Sequence, residues 1–89
     1  MMARVATFDP LPEGVDDEAV QLLRRTIRET PGFVAGFHLG APGHKSLSIA
    51  IFEDAEAGRA AAAALGRRPA DRKVGIDPDH VEFFEAQPF

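Results

Sequence analysis

The amino-acid sequence predicts an α+β fold, because segments in which apolar residues alternate with a period of two flank segments with helical spacing. The clearest signal is a pair of alternating runs, Phe33–Leu39 and Ser46–Phe52, on either side of a Pro- and Gly-containing turn at residues 40–44. Two such runs around a short turn predict a β-hairpin. A second signal is the alanine-rich segment 55–65, whose composition strongly favours a helix.

Length and composition exclude several classes of protein. The chain has 89 residues, no Cys and a net charge of −4, so we expect one domain spanning residues 1–89, without disulfides or thiolate chemistry. The acidic balance argues against nucleic acid as the main partner. No apolar run reaches the roughly 20 residues of a membrane span, and residues 1–5 do not begin a signal peptide. These features predict a cytoplasmic protein with neither a nucleic-acid nor a membrane partner.

The first half of the chain predicts a strand followed by a helix. Residues 3–8 alternate as a strand, and the two prolines and the glycine of residues 9–14 predict a turn. A helix is predicted over residues 17–29, with Asp16 as its N-cap and with its end set by Pro31. Its apolar stripe comprises Ala19, Leu22, Leu23 and Ile27. Its three arginines, Arg24, Arg25 and Arg28, are predicted to lie largely off that stripe.

The second half predicts the hairpin, a second helix and a final strand. The hairpin strands are expected near residues 32–39 and 46–53, and the helix over residues 55–65, between an N-cap at Asp54 and a stop at Gly66. A loop follows, with a possible helical turn at residues 70–74, and the last strand is expected near residues 80–86. The resulting order, βαββαβ, is the ferredoxin-like pattern of a four-stranded antiparallel sheet with two helices on one face.

Both faces of the predicted sheet carry apolar side chains, although two helices cover only one of them. In the first hairpin strand, one face is expected to hold Phe33, Ala35, Phe37 and Leu39. In the second, one face holds Leu47, Ile49 and Ile51, and the opposite face holds Ala50 and Phe52. A sheet that is apolar on both sides in so small a protein predicts a partner. We therefore expect a homodimer formed through the sheet face that lies away from the helices.

Several short motifs, in their order and spacing, resemble the dimeric α/β-barrel superfamily, in particular small proteins related to antibiotic biosynthesis monooxygenases. The motifs are Pro31-Gly32-Phe33, Gly36-Phe37-His38-Leu39, Ile51-Phe52-Glu53-Asp54-Ala55-Glu56 and Val81-Glu82-Phe83-Phe84-Glu85. The resemblance covers nearly the whole chain. It implies two sheets paired across a two-fold axis into a barrel, with the helices outside. It also implies a ligand cleft between helices and sheet, which in members holds molecules such as aromatic polyketides or haem.

The residues with which members perform catalysis differ in this chain. The family's oxygenases commonly use Asn, Trp and sometimes Tyr in the cleft, and this chain has none of the three. Phe52 stands where many members carry Trp. Phenylalanine retains an aromatic ring but lacks the N–H donor of Trp. The haem-degrading branch uses a His on the second helix, where residues 55–65 contain none. The resemblance therefore implies the fold and the cleft, and leaves open whether the chain is an enzyme.

Three side chains are the candidates for a ligand-binding site: His38, Ser48 and Phe52. Ser48 and Phe52 are two strand periods apart and face the same side; His38 reaches that side only in one hairpin register. Phe52 would provide an aromatic surface, and Ser48 and His38 the polar groups that orient a ligand. Of the other histidines, His44 is expected in a solvated turn. His80 is expected to follow a turn that contains Asp residues, without binding a metal. No metal site, cofactor or catalytic residue is predicted.

Three interpretations of the function remain. The first is a homodimer that binds a small, mostly apolar or aromatic ligand in the sheet–helix cleft. The second is a cofactor-independent monooxygenase whose aromatic substrate activates oxygen through its own electron-rich carbanion. The third is a structural or regulatory dimer without a ligand. A cleft with ordered polar groups would favour the first two interpretations, and a filled core would favour the third.

Overall fold

The computed structural model describes residues 1–67 and 77–89. The elements in chain order are β1 (Met2–Phe8), α1 (Asp17–Arg28), β2 (Phe33–Leu39), β3 (Ser46–Phe52), α2 (Ala55–Gly66) and β4 (His80–Glu85). The strands form one antiparallel sheet in the order β2-β3-β1-β4. The predicted ferredoxin-like βαββαβ fold is thereby confirmed. The possible helical turn at residues 70–74 lies outside the described residues.

Both helices begin at the predicted N-caps. The Asp16 carboxylate accepts a hydrogen bond from the Glu18 backbone N–H at 3.0 Å, and the Asp54 carboxylate accepts one from the Ala57 backbone N–H at 2.9 Å. Each satisfies a donor that the first turn of a helix leaves without an intrahelical partner. Helix α2 ends at Gly66, as predicted, although this glycine does not have a positive φ.

The main core lies between the helices and one face of the sheet, which we call the helix face. Its central side chain is Phe52, which is 0% exposed. The buried members of this cluster are Ile27, Ala50, Phe52, Ala57, Ala61 and Leu65. Small side chains let α2 approach the sheet closely: a Cβ built on Gly58 would lie 2.6 Å from the Met2 sulfur. The glycine that weakens helix propensity is therefore the one that allows this close packing.

The strand register determines which side chains share the helix face. Phe52 lies opposite Met2 of β1 and opposite Phe33 of β2, and Ser48 lies opposite His38. Because strand side chains alternate, Ser46, Ser48, Ala50 and Phe52 all point to the helix face. Leu47, Ile49 and Ile51 point to the opposite side, which we call the open face. This agrees with the expected division of β3.

The expected division of β2 is wrong at its first residue. The register shifts between Phe33 and Ala35, so that Val34 is an extra, bulged residue. A bulge of one residue changes the parity of the side chains on its two sides. Phe33 consequently lies on the helix face, with its ring edge-on to Phe52 at a centroid distance of 6.1 Å. Ala35, Phe37 and Leu39 share the open face, as the alternation predicted.

The open face is covered by neither helix and displays large apolar side chains. Phe37 is 59% exposed, Leu39 is 51% exposed and, on β4, Phe84 is 50% exposed. The register brings these side chains into one surface with Ile49 and Leu47. Within the described residues, neither helix is long and apolar enough to cross a membrane.

Candidate functional site: a two-chamber cleft under helix α1

A cleft opens between α1 and the half of the sheet formed by β2 and β3. Its first chamber, with a volume of about 320 Å³, is bordered by Arg24, Ile27 and Arg28 of α1 and by Phe33 and His38 of β2. The sheet side includes Gly36 and, on β3, Ser48 and Ala50. Because Gly36 lies opposite Ala50, it is on the helix face, where its missing side chain leaves room above the sheet. The ring of Phe33 lies beside this gap: a Cβ on Gly36 would be 3.3 Å from the Phe33 Cζ.

A second chamber, of about 390 Å³, continues toward the N-terminal end of α1. Its apolar lining includes Phe8, Leu11, Val20 and Leu23, and its acidic group is Asp17. The loop after β1 is held against the hairpin turn by two backbone hydrogen bonds. Leu11 N–H donates to the His44 carbonyl at 2.9 Å, and Gly43 N–H donates to the Leu11 carbonyl at 2.8 Å. These bonds fix the loop that forms this end of the cleft.

Three polar side chains border both chambers: Arg24, His38 and Ser48. His38 and Ser48 are direct partners in the β2–β3 ladder, so both point to the helix face. The hairpin register, which the sequence left open, thus brings His38 to the same side as Ser48. We call these three residues the polar neck of the cleft. A ligand that spans both chambers would pass beside all three.

The electrostatic environment of the neck favours the neutral form of His38. Partial burial and, second, the positive charge of Arg24 lower the pKa of His38 below its ordinary value of 6.5. At neutral pH the imidazole is therefore predominantly uncharged, and one ring nitrogen is available as a hydrogen-bond acceptor or a proton acceptor. The neck then combines a permanent cation, a neutral base and a hydroxyl group.

Phe52, the third candidate from the sequence, lies in the closed core and borders neither chamber. Phe33 does border the first chamber, and its position on the helix face follows from the bulge at Val34. Phe52 supports that ring from behind through their edge-on contact. The structure thus brings His38 and Ser48 together in the cleft, and places Phe52 one layer beneath it.

Sequence analysis missed Arg24 and Arg28 as residues of the cleft. It placed both largely off the apolar stripe of α1 and did not consider them for the site. Their spacing of four residues, which places them one above the other on the same helix side, was the available signal. Arg25, between them, borders neither chamber. Long side chains at the edge of an apolar stripe reach over it, so the stripe alone does not predict them.

The remaining candidates lie outside the cleft. His44 is exposed in the hairpin turn, and His80 lies 3.3 Å from a Glu82 carboxylate oxygen on the surface of β4. In residues 1–67 and 77–89, no three His, Cys, Asp or Glu side chains are grouped so that they could hold a metal ion. The basic residues Arg68, Arg72 and Lys73, which follow α2 in the sequence, lie outside the described residues.

Comparison with solved structures identifies proteins of the same fold. SnoaB, a cofactor-independent oxygenase from Streptomyces nogalater, is 23% identical, matches 99% of this chain and 94% of its own, and has a TM-score of 0.68. MhuD, in a structure with two manganese protoporphyrin IX molecules per active site, is 18% identical, with 97% and 94% covered and a TM-score of 0.67.

A third similar structure is a monooxygenase from the gene ActVA-Orf6 of Streptomyces coelicolor, solved in complex with the ligand nanaomycin D. It is 20% identical, covers 99% of this chain and 88% of its own, and has a TM-score of 0.62. No family model and no curated protein matches the sequence. This chain thus shares the fold of these proteins over nearly its full length.

Proposed function

We propose that this protein is a homodimer in which each protomer binds a small, largely apolar aromatic molecule in the cleft under α1. The observation that carries the proposal is the convergence of Arg24, His38 and Ser48 on a cleft whose other walls are mainly apolar. Ligand sites typically occupy about 300–1,000 Å³ and combine apolar walls with a few polar groups that fix orientation. The presence of two chambers, rather than a filled core, supports ligand binding over a purely structural dimer.

A cavity-filling substitution tests the binding site. Gly36→Val would add a branched side chain on the helix face, beside the ring of Phe33, without requiring an unusual backbone conformation. Valine also suits a strand, so the variant should remain folded by circular dichroism. We expect it to weaken the binding of an aromatic probe such as 2-naphthol at least tenfold, as measured by fluorescence titration.

Gly66→Ala is the matched control, because a Cβ there would meet nothing within 4 Å and the residue lies at the end of α2, away from the cleft. This variant should bind the probe like the wild type. A folded Gly36→Val variant with wild-type affinity would contradict the proposed position of the site. Failure of the wild-type protein to bind any member of a panel of naphthols, anthraquinones and polyphenols would contradict ligand binding altogether.

The homodimer is supported by the exposed apolar side chains of the open face. A second copy would present the same apolar surface. If the two copies were related by a two-fold axis, each open face would cover the other. Ile49 lies on the open face, opposite Phe37. Ile49→Asp would place an unpaired charge in the interface, and we expect it to convert the dimer to monomers in light scattering coupled to size exclusion. A wild-type protein that is monomeric at micromolar concentration would contradict this part of the proposal.

A second candidate function is a cofactor-independent monooxygenase, which the fold shared with SnoaB and the neutral His38 both favour. His38 would accept a proton from the acidic CH₂ group of a phenolic ring system and leave a carbanion that reduces O₂. One oxygen atom would become the carbonyl oxygen of the product. The other would leave as water with the two hydrogens of the CH₂ group, so that R₂CH₂ and O₂ give R₂C=O and H₂O.

Incubation with a polyphenol panel under air and under nitrogen, followed by mass spectrometry, tests this candidate. Turnover would add 14 mass units to the substrate in air and 16 in ¹⁸O₂, following from the balanced reaction, and His38→Gln should slow it strongly. Identical product profiles with and without oxygen would contradict the enzyme function while leaving ligand binding in place.

A further inference from the structure

The cleft side of α1 carries an uneven distribution of charge. Arg24 and Arg28 border the first chamber, whereas the carboxylate among the lining residues, Asp17, borders the second chamber at the other end of the helix. Within residues 1–67 and 77–89, neither Arg24 nor Arg28 forms an ion pair with a carboxylate. An overall acidic chain thus presents a positive potential inside its first chamber.

The helix dipole accounts for the position of one of the two arginines but not of the other. Arg28 lies in the last turn of α1, where a cation interacts favourably with the helix dipole. Arg24 is in the middle of the helix, where that explanation does not apply. Its guanidinium is also close enough to His38 to lower the pKa of that side chain. An anion bound between Arg24 and His38 would offset the positive charge of the guanidinium.

We propose that the ligand of this cleft is an aromatic molecule that carries a carboxylate, and that Arg24 binds this group at the polar neck. The inference rests on the proposed ligand-binding function. The guanidinium offers paired N–H donors that match a carboxylate, and the Ser48 hydroxyl provides a further donor. The ring system lies in the first chamber against Phe33. Asp17 disfavours the opposite orientation, with the carboxylate at the far end of the second chamber.

A pair of probes that differ in one charge tests this inference. Anthracene-2-carboxylate and 2-(hydroxymethyl)anthracene have the same ring system, and their fluorescence reports binding directly. At pH 8, where His38 is neutral, we expect the wild-type protein to bind the acid about three- to tenfold more tightly than the alcohol. The preference should shrink as NaCl is raised, because the neck is partly open to solvent.

Three substitutions at two positions of α1 distinguish a specific carboxylate site from a general electrostatic attraction. Arg24→Gln should lose the preference for the acid and bind the two probes with similar affinity. Arg25→Gln is the matched control, because it removes the same charge from the adjacent position, which borders neither chamber. It should retain the preference for the acid. Arg24→Lys keeps the charge without the paired donors and should retain part of the preference.

The outcomes distinguish this inference from the proposal on which it rests. Equal wild-type binding of acid and alcohol would overturn the carboxylate assignment and leave the aromatic site intact. Equal loss of the preference in Arg25→Gln and Arg24→Gln would overturn the role of Arg24. Binding of neither probe, nor of any member of the neutral panel, would overturn both proposals.

Discussion

Replacing Phe52 with leucine is expected to lower stability while leaving ligand affinity unchanged. Phe52 is fully buried, and its ring meets that of Phe33 at an interplanar angle of 73°. Loss of this edge-to-face pair costs about 0.5–1.5 kcal/mol, and the small cavity left by leucine adds about 1 kcal/mol or less. The total, about 0.5–2.5 kcal/mol, is well below the roughly 5–15 kcal/mol stability of a typical domain. The variant should therefore fold.

The assay combines denaturation with ligand titration. For a domain of this size, 1 kcal/mol corresponds to about 4–8 °C in Tm, so we expect Phe52→Leu to melt about 2–20 °C below the wild type. Protein concentration must be held constant, because the Tm of the proposed dimer would depend on it. Phe33→Leu is the informative comparison: it removes the same ring pair but also changes the wall of the first chamber, so it should lower both Tm and affinity.

The reasoning would be refuted if Phe52→Leu left Tm unchanged and weakened the binding of the aromatic probe. That result would make Phe52 part of the ligand surface, in the way the sequence pattern alone proposed, and would mean that the core opens when the ligand binds.

Two further substitutions test the packing and the electrostatics. Gly32→Ala should destabilise the protein by about 2–4 kcal/mol in urea denaturation, because Gly32 has a φ of 90° and an added Cβ would lie 2.6 Å from the Ala57 Cβ; wild-type stability would contradict this packing. For His38, the folded-state pKa is lowered, so the unfolded state binds more protons below about pH 6.5. The free energy of unfolding should therefore decrease as the pH drops below about 6.5, and the decrease should be smaller in His38→Gln. If urea denaturation shows the same pH dependence for both proteins, the pKa of His38 is not lowered by folding.

Most of the fold could be predicted from local patterns in the sequence. The alternation of β3 assigned Ile49 to the open face and Phe52 to the helix face, and the acidic residues at positions 16 and 54 marked both N-caps correctly. These features depend on contacts within one element or between neighbours in the chain. Such contacts leave a period or a spacing that can be counted.

The cleft was harder to predict because its residues come from three elements. Ser48 and His38 were candidates on residue type, but their alignment depended on the hairpin register, which no local pattern fixes. Arg24 was passed over because polar residues at the edge of an apolar stripe usually contact solvent. Only the position of α1 above β2 and β3 shows that its guanidinium borders the same space as the histidine.

The bulge at Val34 links the core, the cleft and the open face. In a regular strand, Phe33 would share the side of Ala35, Phe37 and Leu39, and would point away from the helices. The extra residue reverses its direction, so that one strand sends Phe33 against Phe52 and into the wall of the first chamber, yet keeps Phe37 and Leu39 on the open face. Without it, the first chamber would lose the ring of Phe33, and Phe52 would lose its ring partner. A single local irregularity therefore allows β2 to border the proposed ligand cleft on one side and the proposed protomer interface on the other.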